Sequence, residues 1–470
     1  MMNCTTNRKL NKSSRTLLVC LFWLVIWQVA AIVVGNDLLL PDVFDTLVAI
    51  GSLAQDSTFY LDVSWTLFRC IISIVLSFIA GICFAWLAYK NEIVRNIMTL
   101  PVSFFKAVPV MAIVVYVILL VRADWVAVAA CFLMCFPIVY TNILAGLEDT
   151  SKELLEMVKV YGIEKRDKVR LVYIPSSMPH FNAAMKIVAG LSWKAVVAAE
   201  GLSVPEFSLG QGMISAKYYL ETPTLFAYIF VIVVLSLTLE KAICMLTDRF
   251  TMANYEGSKL TKLKKVATTV MGPPDINIRD LIKSFDDKEV FRGLNASIKA
   301  GCKAGVIGPS GRGKTTLARI LSGLEREYDG LVEFSEEAKV SYLFQEDRLL
   351  PWFNVYDNMA LVVSSNCDLT YDRVVQMGKA LEIEEILWKM PQELSGGMKH
   401  RVAIGRTLLA DSNLLILDEP FRGLDEDLKK RIVDRLWDKY TKDKTVVVIS
   451  HNEKDLELIK IDDTMSIGVE

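Results

Sequence analysis

Gly308-Pro309-Ser310-Gly311-Arg312-Gly313-Lys314-Thr315 decides how this chain is read. The stretch matches a glycine, four residues, then Gly-Lys-Ser/Thr. Glycines let the backbone curl so that successive N–H groups point inward at a phosphate chain. Lys314 can neutralise the outer phosphates, Thr315 can hold Mg²⁺, and Thr316 extends the set that holds a nucleotide. Residues 302–307 read as a short apolar strand and 316–322 as the start of a helix. Strand, loop, helix is the context in which this motif binds phosphate.

Outward from the loop, composition divides the chain. Its 470 residues suggest two or three domains. Hydrophobic residues make up 53%, high for a soluble protein, and the long apolar runs fall in the first 250 positions. The net charge of −2 implies no nucleic-acid partner. Nine cysteines form no C-x-x-C pair, and Cys20, Cys70, Cys83, Cys131 and Cys135 lie within apolar stretches. They read as small buried hydrophobes rather than as disulfides or a metal site.

Residues 1–16 are polar and basic, with Arg8, Lys9, Lys12 and Arg15. The run 17–34 is apolar apart from Gln28 and is long for a signal peptide, so it reads as an uncleaved first span. Further expected spans are 71–89, 102–121, 125–147, 181–199 and 222–239, each near the ~20 residues that cross a bilayer. Lys106 sits near the start of the third, and Lys186 and Lys194 lie in the fifth. With the N-terminus inside, the inner segments carry Lys90, Arg95, Lys152, Lys159, Lys165, Arg166, Lys168 and Arg170 besides the N-terminal cluster. The outer segments carry Arg122 and Lys217, plus Arg69 if the outer end of the second span is counted. Segment 35–62 has five aspartates and no Lys or Arg. The bias places both termini in the cytoplasm. Lys186 and Lys194 are eight residues apart, roughly 80° around a helix. Two readings stay open: a polar pathway or anion contact, or a cytoplasmic end for Lys186 and a satisfied packing pair for Lys194.

The longest inner connection, 148–180, contains Glu156-Met157-Val158, three residues, Gly162, nine residues, and Val172-Tyr173-Ile174-Pro175. It resembles the E-A-A-x-x-x-G, nine residues, I-x-L-P motif of permeases in bacterial ATP-binding cassette (ABC) importers. Glu156, Gly162 and Pro175 stay in register, while Met157, Val158, Val172 and Ile174 depart from the usual residues. The resemblance implies a short coupling helix that docks in a groove of the ATPase. Trp193-Lys194-Ala195-Val196-Val197-Ala198-Ala199-Glu200, followed by Leu209-Gly210, is similar to permeases for nitrate, taurine and aliphatic sulfonates.

Segment 251–274 reads as a linker, with Lys259, Lys262, Lys264 and Lys265 before Gly272-Pro273-Pro274. Its basic cluster suits either an anionic inner leaflet or a plain solvated tether. From Asp275 short strands and helices take over, with strands expected at 276–281 and 289–298. By resemblance to ABC ATPases, Phe285 stacks on adenine, and Gln345 reaches Mg²⁺ and senses the permease. Leu349-Leu350-Pro351-Trp352 and Asp357-Asn358 are similar to the nitrate, taurine and sulfonate ATPases. Leu394-Ser395-Gly396-Gly397-Met398 resembles the L-S-G-G-Q signature and opens a helix whose N-terminus suits an anion. Met398 replaces the usual glutamine and cannot donate a hydrogen bond, so phosphate contact there is expected to rest on Ser395, Gly396 and Gly397. Strand 414–418 ends in Asp418, with a Mg²⁺ role, and Glu419, which polarises the attacking water. Gly423-Leu424-Asp425 resembles the loop that passes signals between partners. Strand 446–450 leads to His451, expected at the γ-phosphate. Only 19 residues follow His451, and no regulatory C-terminal domain is expected.

The resemblance covers nearly the whole chain. It implies a membrane all-α permease of about six transmembrane helices over 1–250, the linker 251–274, and a cytoplasmic α/β ABC-type P-loop ATPase over 275–470. The implied function is ATP-driven uptake of a small solute across the bacterial plasma membrane, with ATP and Mg²⁺ at a site where Glu419, His451 and Lys314 are catalytic. An anion such as nitrate, taurine or a sulfonate fits best, and vitamin precursors remain open. Implied partners are a second copy of the chain, membrane lipid, and a separate extracytoplasmic solute-binding protein, since the outer loops are short. An exporter half-transporter is the alternative, but such exporters have long cytoplasmic extensions and only 148–180 is substantial here. A non-transporting membrane ABC regulator or sensor is the third reading, disfavoured by the intact Glu419.

Overall fold

The computed structural model describes residues 12–256, 272–285, 288–309, 311–363 and 367–467. Ser310 and most of the expected linker, with Lys259, Lys262, Lys264 and Lys265, lie outside the described residues. Two units emerge: 1–149 with 177–251, and 150–176 with 252–470. The segment 150–176, which interrupts the helical unit in sequence, thus belongs with the α/β unit.

The first unit is helical: α1 (Lys12–Val34), α2 (Val43–Leu53), α3 (Ser57–Lys90), α4 (Glu92–Ala107), α5 (Val110–Ile118) and α6 (Ala123–Glu148). After the excursion α7 (Lys152–Val160) and α8 (Lys165–Lys168) come α9 (Ile174–Ser203), α10 (Leu209–Tyr218) and α11 (Thr222–Glu256). Local chemistry sets the ends. Asp42 and Asp56 accept hydrogen bonds from Asp45 and Thr58 backbone N–H groups and cap α2 and α3. Gln28, the polar residue of the first apolar run, accepts from the Val43 N–H at 3.0 Å, while Trp27 Nε1 donates to Pro41 O at 3.1 Å.

Three differences from the sequence expectation have clear causes. The expected span 102–121 is not one helix: α4 and α5 meet at a 105° bend. Val108 precedes Pro109 and is extended, as the proline ring disfavours helix at that position. The span 71–89 lies inside the 34-residue α3, which starts at its Asp56 cap. Helix α11 runs on to Glu256, into the segment read as linker. By length and hydropathy, three described helices can cross a membrane (α3, α6 and α11 as far as Arg249), or four if the bent pair is one span. The described apolar part of α1, Leu21–Val34, is shorter. The 30-residue α9 carries Lys186, Lys194 and Glu200.

Inside this unit an ion pair replaces apolar packing. Arg69 Nη1 lies 2.7 Å from Glu200 Oε1, and both side chains are buried. The guanidinium also donates to the carbonyls of Asp124, Glu206 and Phe207, and Glu200 Oε2 accepts from Thr66 Oγ1 at 2.9 Å. The cluster ties α3, the start of α6, the end of α9 and the loop before α10. Arg69, weighed above as an outer-segment cation, is an interior residue. Cys70, Cys131 and Cys135 are free and buried, but Cys83 is exposed on this chain.

The second unit has two sheets. Strands β1 (Ile276–Phe285), β2 (Lys288–Ile298) and β4 (Asp329–Phe334) form an antiparallel sheet in the order β2-β1-β4. Strands β3 (Lys303–Ile307), β5 (Val340–Leu343), β6 (Leu414–Asp418), β7 (Thr445–Ile449) and β8 (Asp463–Ser466) form a parallel sheet in the order β5-β6-β7-β3-β8. Strands β6 and β7 are buried throughout, which is why they read as unbroken apolar runs. The helices are α12 (Lys314–Leu321), α13 (Val355–Ala360), α14 (Cys367–Ala380), α15 (Gly396–Leu409), α16 (Glu426–Thr441) and α17 (Glu453–Leu458). In the register of the central strands, Val306 of β3 and Asp418 of β6 both pair with Ile449 of β7. The carboxyl ends of these strands therefore lie at one edge of the sheet.

Removing one partner of a buried ion pair costs about 3–5 kcal/mol, because the other charge stays buried. Glu200→Ala should accordingly lower the unfolding midpoint in detergent sharply, whereas Arg69→Met with Glu200→Leu should cost less than Glu200→Ala alone. Equal or greater loss in the double variant would remove the pair from the account of this unit's stability.

Candidate functional site

The carboxyl edge of the parallel sheet collects most of the residues singled out in sequence. The glycine-rich loop follows β3, Gln345 follows β5, Asp418 ends β6 with Glu419 next to it, and His451 follows β7. A cavity of about 370 Å³ opens there, walled by Phe285, Val290, Gly311, Gly313, Lys314, Thr315, Thr316, Gln345, Asp418 and Glu419. Of the expected contacts, Gly308, Pro309, Arg312 and His451 lie beside this wall rather than in it, and Ser310 is outside the described residues. Ser395, Gly396 and Gly397 are not part of the wall either.

Gly313 adopts a left-handed φ of +94°, and a Cβ there would lie 2.5 Å from Val290 Cγ1. Only glycine lets the loop press so closely on β2. Lys314 Nζ donates to the carbonyls of Gly308 at 2.6 Å and Pro309 at 3.0 Å, which closes the loop around a buried ammonium. Thr315 Oγ1 donates to Asp418 Oδ2 at 2.9 Å. Burial pushes the Asp418 carboxyl up to about 6, with the Glu419 charge adding to it and the Thr315 bond opposing it. Glu419 holds a left-handed φ of 56°, rare outside glycine, while its N–H donates to Ile449 O at 2.9 Å. Its Oε1 lies 2.7 Å from Nδ1 of the exposed His451. Phe285 is half-open, with the Lys283 ammonium 4.5 Å from its ring centroid. Lys283 is in turn held by Glu325 at 3.0 Å and by the Glu327 carbonyl.

At the start of α15, Ser395 Oγ accepts from the Met398 N–H at 3.4 Å. Ser395 and Gly396 are exposed, whereas Met398 is half-buried against the apolar core. The methionine at the glutamine's place therefore serves packing.

The segment 150–176 packs on the same unit. Ser151 caps α7, and Gly162, at φ +64°, turns the chain after it. Leu154, Met157, Val158, Leu171 and Val172 join the apolar core. The residues that depart from the double alanine are thus core residues. Glu156 accepts from Arg319 at 2.7 and 2.9 Å and from Arg348 at 2.9 Å. Tyr161 Oη lies 3.1 Å from Tyr342 O and 3.0 Å from Thr407 Oγ1. Arg319 belongs to α12, which starts at Lys314, and Arg348 follows Gln345 by three residues.

Sequence reasoning missed Arg319, Arg348 and Arg406. Arg406 is fully buried on α15 and donates to the carbonyls of Asp347 and Arg348, each at 2.9 Å. His400, also on α15, sits 2.9 Å from Asp347 Oδ1 and 3.0 Å from Pro420 O. No local pattern marks these residues, since their partners are far along the chain. The lysines of α9 resolve unequally. Lys186 lies 3.7 Å from Asp248 on α11, and Lys194 is exposed on this chain.

Comparison with known proteins finds matches in both halves of the chain. Residues 291–422 match the family described as ABC transporter, and residues 73–242 match the binding-protein-dependent transport system inner membrane component. The aliphatic sulfonates import ATP-binding protein SsuB of Bacillus subtilis (strain 168) is 37% identical over 172 residues, 35% of this chain and 68% of that protein. Its counterpart in a strain of Bacillus cereus is 33% identical over 188 residues, 38% of this chain and 75% of that protein. The thiamine import ATP-binding protein ThiQ of Haemophilus influenzae is 34% identical over 187 residues, 37% of this chain and 86% of that protein. Among solved structures, a dimeric ATP-binding cassette in a post-hydrolysis state with ADP and phosphate aligns at 23% identity and a TM-score of 0.37, covering 41% of this chain and 94% of that one. The chain belongs to the ABC transporter family, with an importer-type permease and an ATPase in one polypeptide. It is a membrane protein that binds ATP and hydrolyses it to drive transport.

Burial alone would raise the Glu156 carboxyl, but the guanidiniums of Arg319 and Arg348 outweigh it and hold it below the usual glutamate range. A carboxyl depressed in the folded state contributes stability that is fully present above its unfolded value, about 4.3, and is lost as pH falls below that. The gap in unfolding midpoint between wild type and Glu156→Ala should therefore stay constant from pH 8 down to about 5 and shrink below that. A gap that widened on acidification would contradict an ionised Glu156.

Proposed function

We propose that this chain imports a small organic anion of the sulfonate class, working with a second copy of itself and a separate extracytoplasmic solute-binding protein. The observation that carries the coupling part of this reading is Glu156. This residue of the permease-type segment grips one arginine on the helix of the phosphate loop and another just past Gln345. The names of the Bacillus relatives, aliphatic sulfonates import proteins, favour the substrate class. A thiamine import relative at similar identity keeps a vitamin as the competing cargo. The excess of basic residues in the inner segments supports a cytoplasmic side for both termini, where ATP is.

In this reading Phe285 offers its open face to adenine, and the glycine-rich loop with the start of its helix, Gly311, Gly313 and Thr316 among them, offers backbone N–H groups to the phosphates. Lys314 supplies the charge that offsets them. The side-chain oxygens of Thr315, Asp418 and Gln345 line one cavity and are the hard donors that Mg²⁺ prefers. When bound, Mg²⁺ neutralises phosphate charge. Glu419 takes the proton of the attacking water, and His451, 2.7 Å from it, orients the carboxylate. Ser395, Gly396 and Gly397 stand outside the wall of the cavity in their own chain. They are thus available to close the site of a partner copy with the positive end of α15.

Glu419→Gln should cut ATP turnover by about 10²–10⁴-fold and spare ATP binding, measured by phosphate release and nucleotide retention in nanodiscs. Unchanged turnover would remove Glu419 from its role. For cargo, proteoliposomes loaded with ATP should accumulate an alkanesulfonate or taurine only when the solute-binding protein is added outside. Efflux, or uptake without that protein, would overturn the importer scheme. Uptake of thiamine alone would overturn the anion.

A further inference from the structure

The coupling segment has a second attachment, and its chemistry starts from a proline. Pro175 has no N–H, so the Leu171 carbonyl four residues earlier loses its usual helical donor. A proline ring also presses on that carbonyl in α-geometry. The backbone here is wider than an α-helix: Val169–Tyr173 form a π-helical turn, and the Ile174 N–H reaches back five residues to Val169 O. Trp352 Nε1 of the ATPase donates at 2.9 Å to the Leu171 carbonyl, the one that an α-helical N–H at position 175 would serve. Both residues are buried, Trp352 at 7% and Leu171 at 6% exposure, so neither group has water as an alternative partner.

The loop that presents Trp352 is itself fixed. Asn358, fully buried within α13, accepts from the Leu350 N–H at 2.8 Å. Its amide nitrogen donates to the carbonyls of Leu350 and Phe353 at 3.1 and 2.9 Å. One side chain thus ties the turn on both sides of Trp352. No residue of this turn lines the nucleotide cavity. At the other end of the segment, Glu156 holds Arg319 and Arg348, which sit directly behind residues that do line it. The two attachments differ in kind: one is on a rigid turn, the other on elements that carry nucleotide contacts.

We infer that Trp352 is a positioning residue that holds the Pro175 end of the coupling segment as a fixed point, through the carbonyl that Pro175 leaves open, while the Glu156 end follows the nucleotide site. The inference rests on the coupling reading of 150–176 and not on the identity of the cargo.

Hydrogen–deuterium exchange of the full chain in nanodiscs tests it without any transported solute. Trp352→Phe keeps a ring but loses the N–H. It should speed exchange over 165–176 by roughly fivefold, the equivalent of one net hydrogen bond, and leave 152–160 unchanged. Pro175→Ala added to Trp352→Phe should bring exchange back toward wild type, because the restored N–H can serve the Leu171 carbonyl within the helix. A purely packing role for the indole predicts no such rescue, so a double variant as fast as Trp352→Phe alone would overturn the inference. So would unchanged exchange in Trp352→Phe. If that variant does not fold, Asn358→Ser, which leaves Trp352 but loosens its turn, should give the same acceleration over 165–176; no acceleration counts against the inference. Finally, ATP added to the Glu419→Gln chain should alter exchange over 152–160 and not over 165–176. Equal change at both ends would remove the fixed point. None of these outcomes bears on the uptake assay, whose failure would in turn leave Trp352 in place.

Discussion

A carboxylate shared between two guanidiniums ties the segment 150–176 to the helix of the glycine-rich loop and to the stretch after Gln345. Glu156 is partly withdrawn from water, so its charge has to be met by partners within the protein. Arg319 takes both oxygens and Arg348 shares one, so the group is charged and paired at once. Each guanidinium is fixed from behind. Arg319 is part of the helix that begins at Lys314, and Arg348 stacks 3.9 Å over Phe344 with a left-handed φ of 45°. Such backbone strain in a non-glycine residue persists only where neighbours enforce it. Here the neighbour is Arg406, whose buried guanidinium grips the Arg348 carbonyl.

Arg406 brings the signature helix into the same network. Helix α15 begins at Gly396, behind the Ser395 cap, and carries His400, Arg406 and Thr407 along its length. All three reach the segment after Gln345 or the coupling segment, through Asp347, Arg348 and Tyr161. A rigid helix touches a candidate anion site at its N-terminus and, two to three turns later, the partners of Glu156. This is a contiguous set of hydrogen bonds along one helix.

Features written in adjacent residues were legible in the sequence. The glycine-rich loop, the Asp418-Glu419 pair, the helix that opens at the Ser395-Gly396-Gly397 stretch and the strands around them each need only local pattern. Parallel strands then deliver their ends to one edge whatever the order of the chain. Features made by distant partners were not legible. Arg319 and Arg348 look like ordinary surface cations until Glu156 meets them. Trp352 and Asn358 were visible as a family resemblance, without their bonds. Arg69 and Glu200 lie 131 residues apart, and a charge near the end of an apolar run reads naturally as a loop residue. The span expected at 102–121 failed for a local reason that hydropathy does not weigh. Pro109 matters through its effect on Val108, and apolar content is indifferent to it.

Carrying the coupling segment and the ATPase in one polypeptide changes what their contact must achieve. Between separate subunits, an interface has to supply enough free energy to hold the complex at cellular concentrations. Within a chain, the partner is present at an effective concentration on the order of millimolar, so docking needs far less intrinsic affinity. The contact is then free to favour direction over strength. A short segment suffices, with one charged grip at Glu156, a tyrosine at 161 and an indole bond at Leu171. Its bonds are few, each is directional, and each links a different element of the ATPase. Together with the apolar side chains that the segment buries in the core, these distinct points of attachment suit it to the proposed role of passing displacement from one point to another.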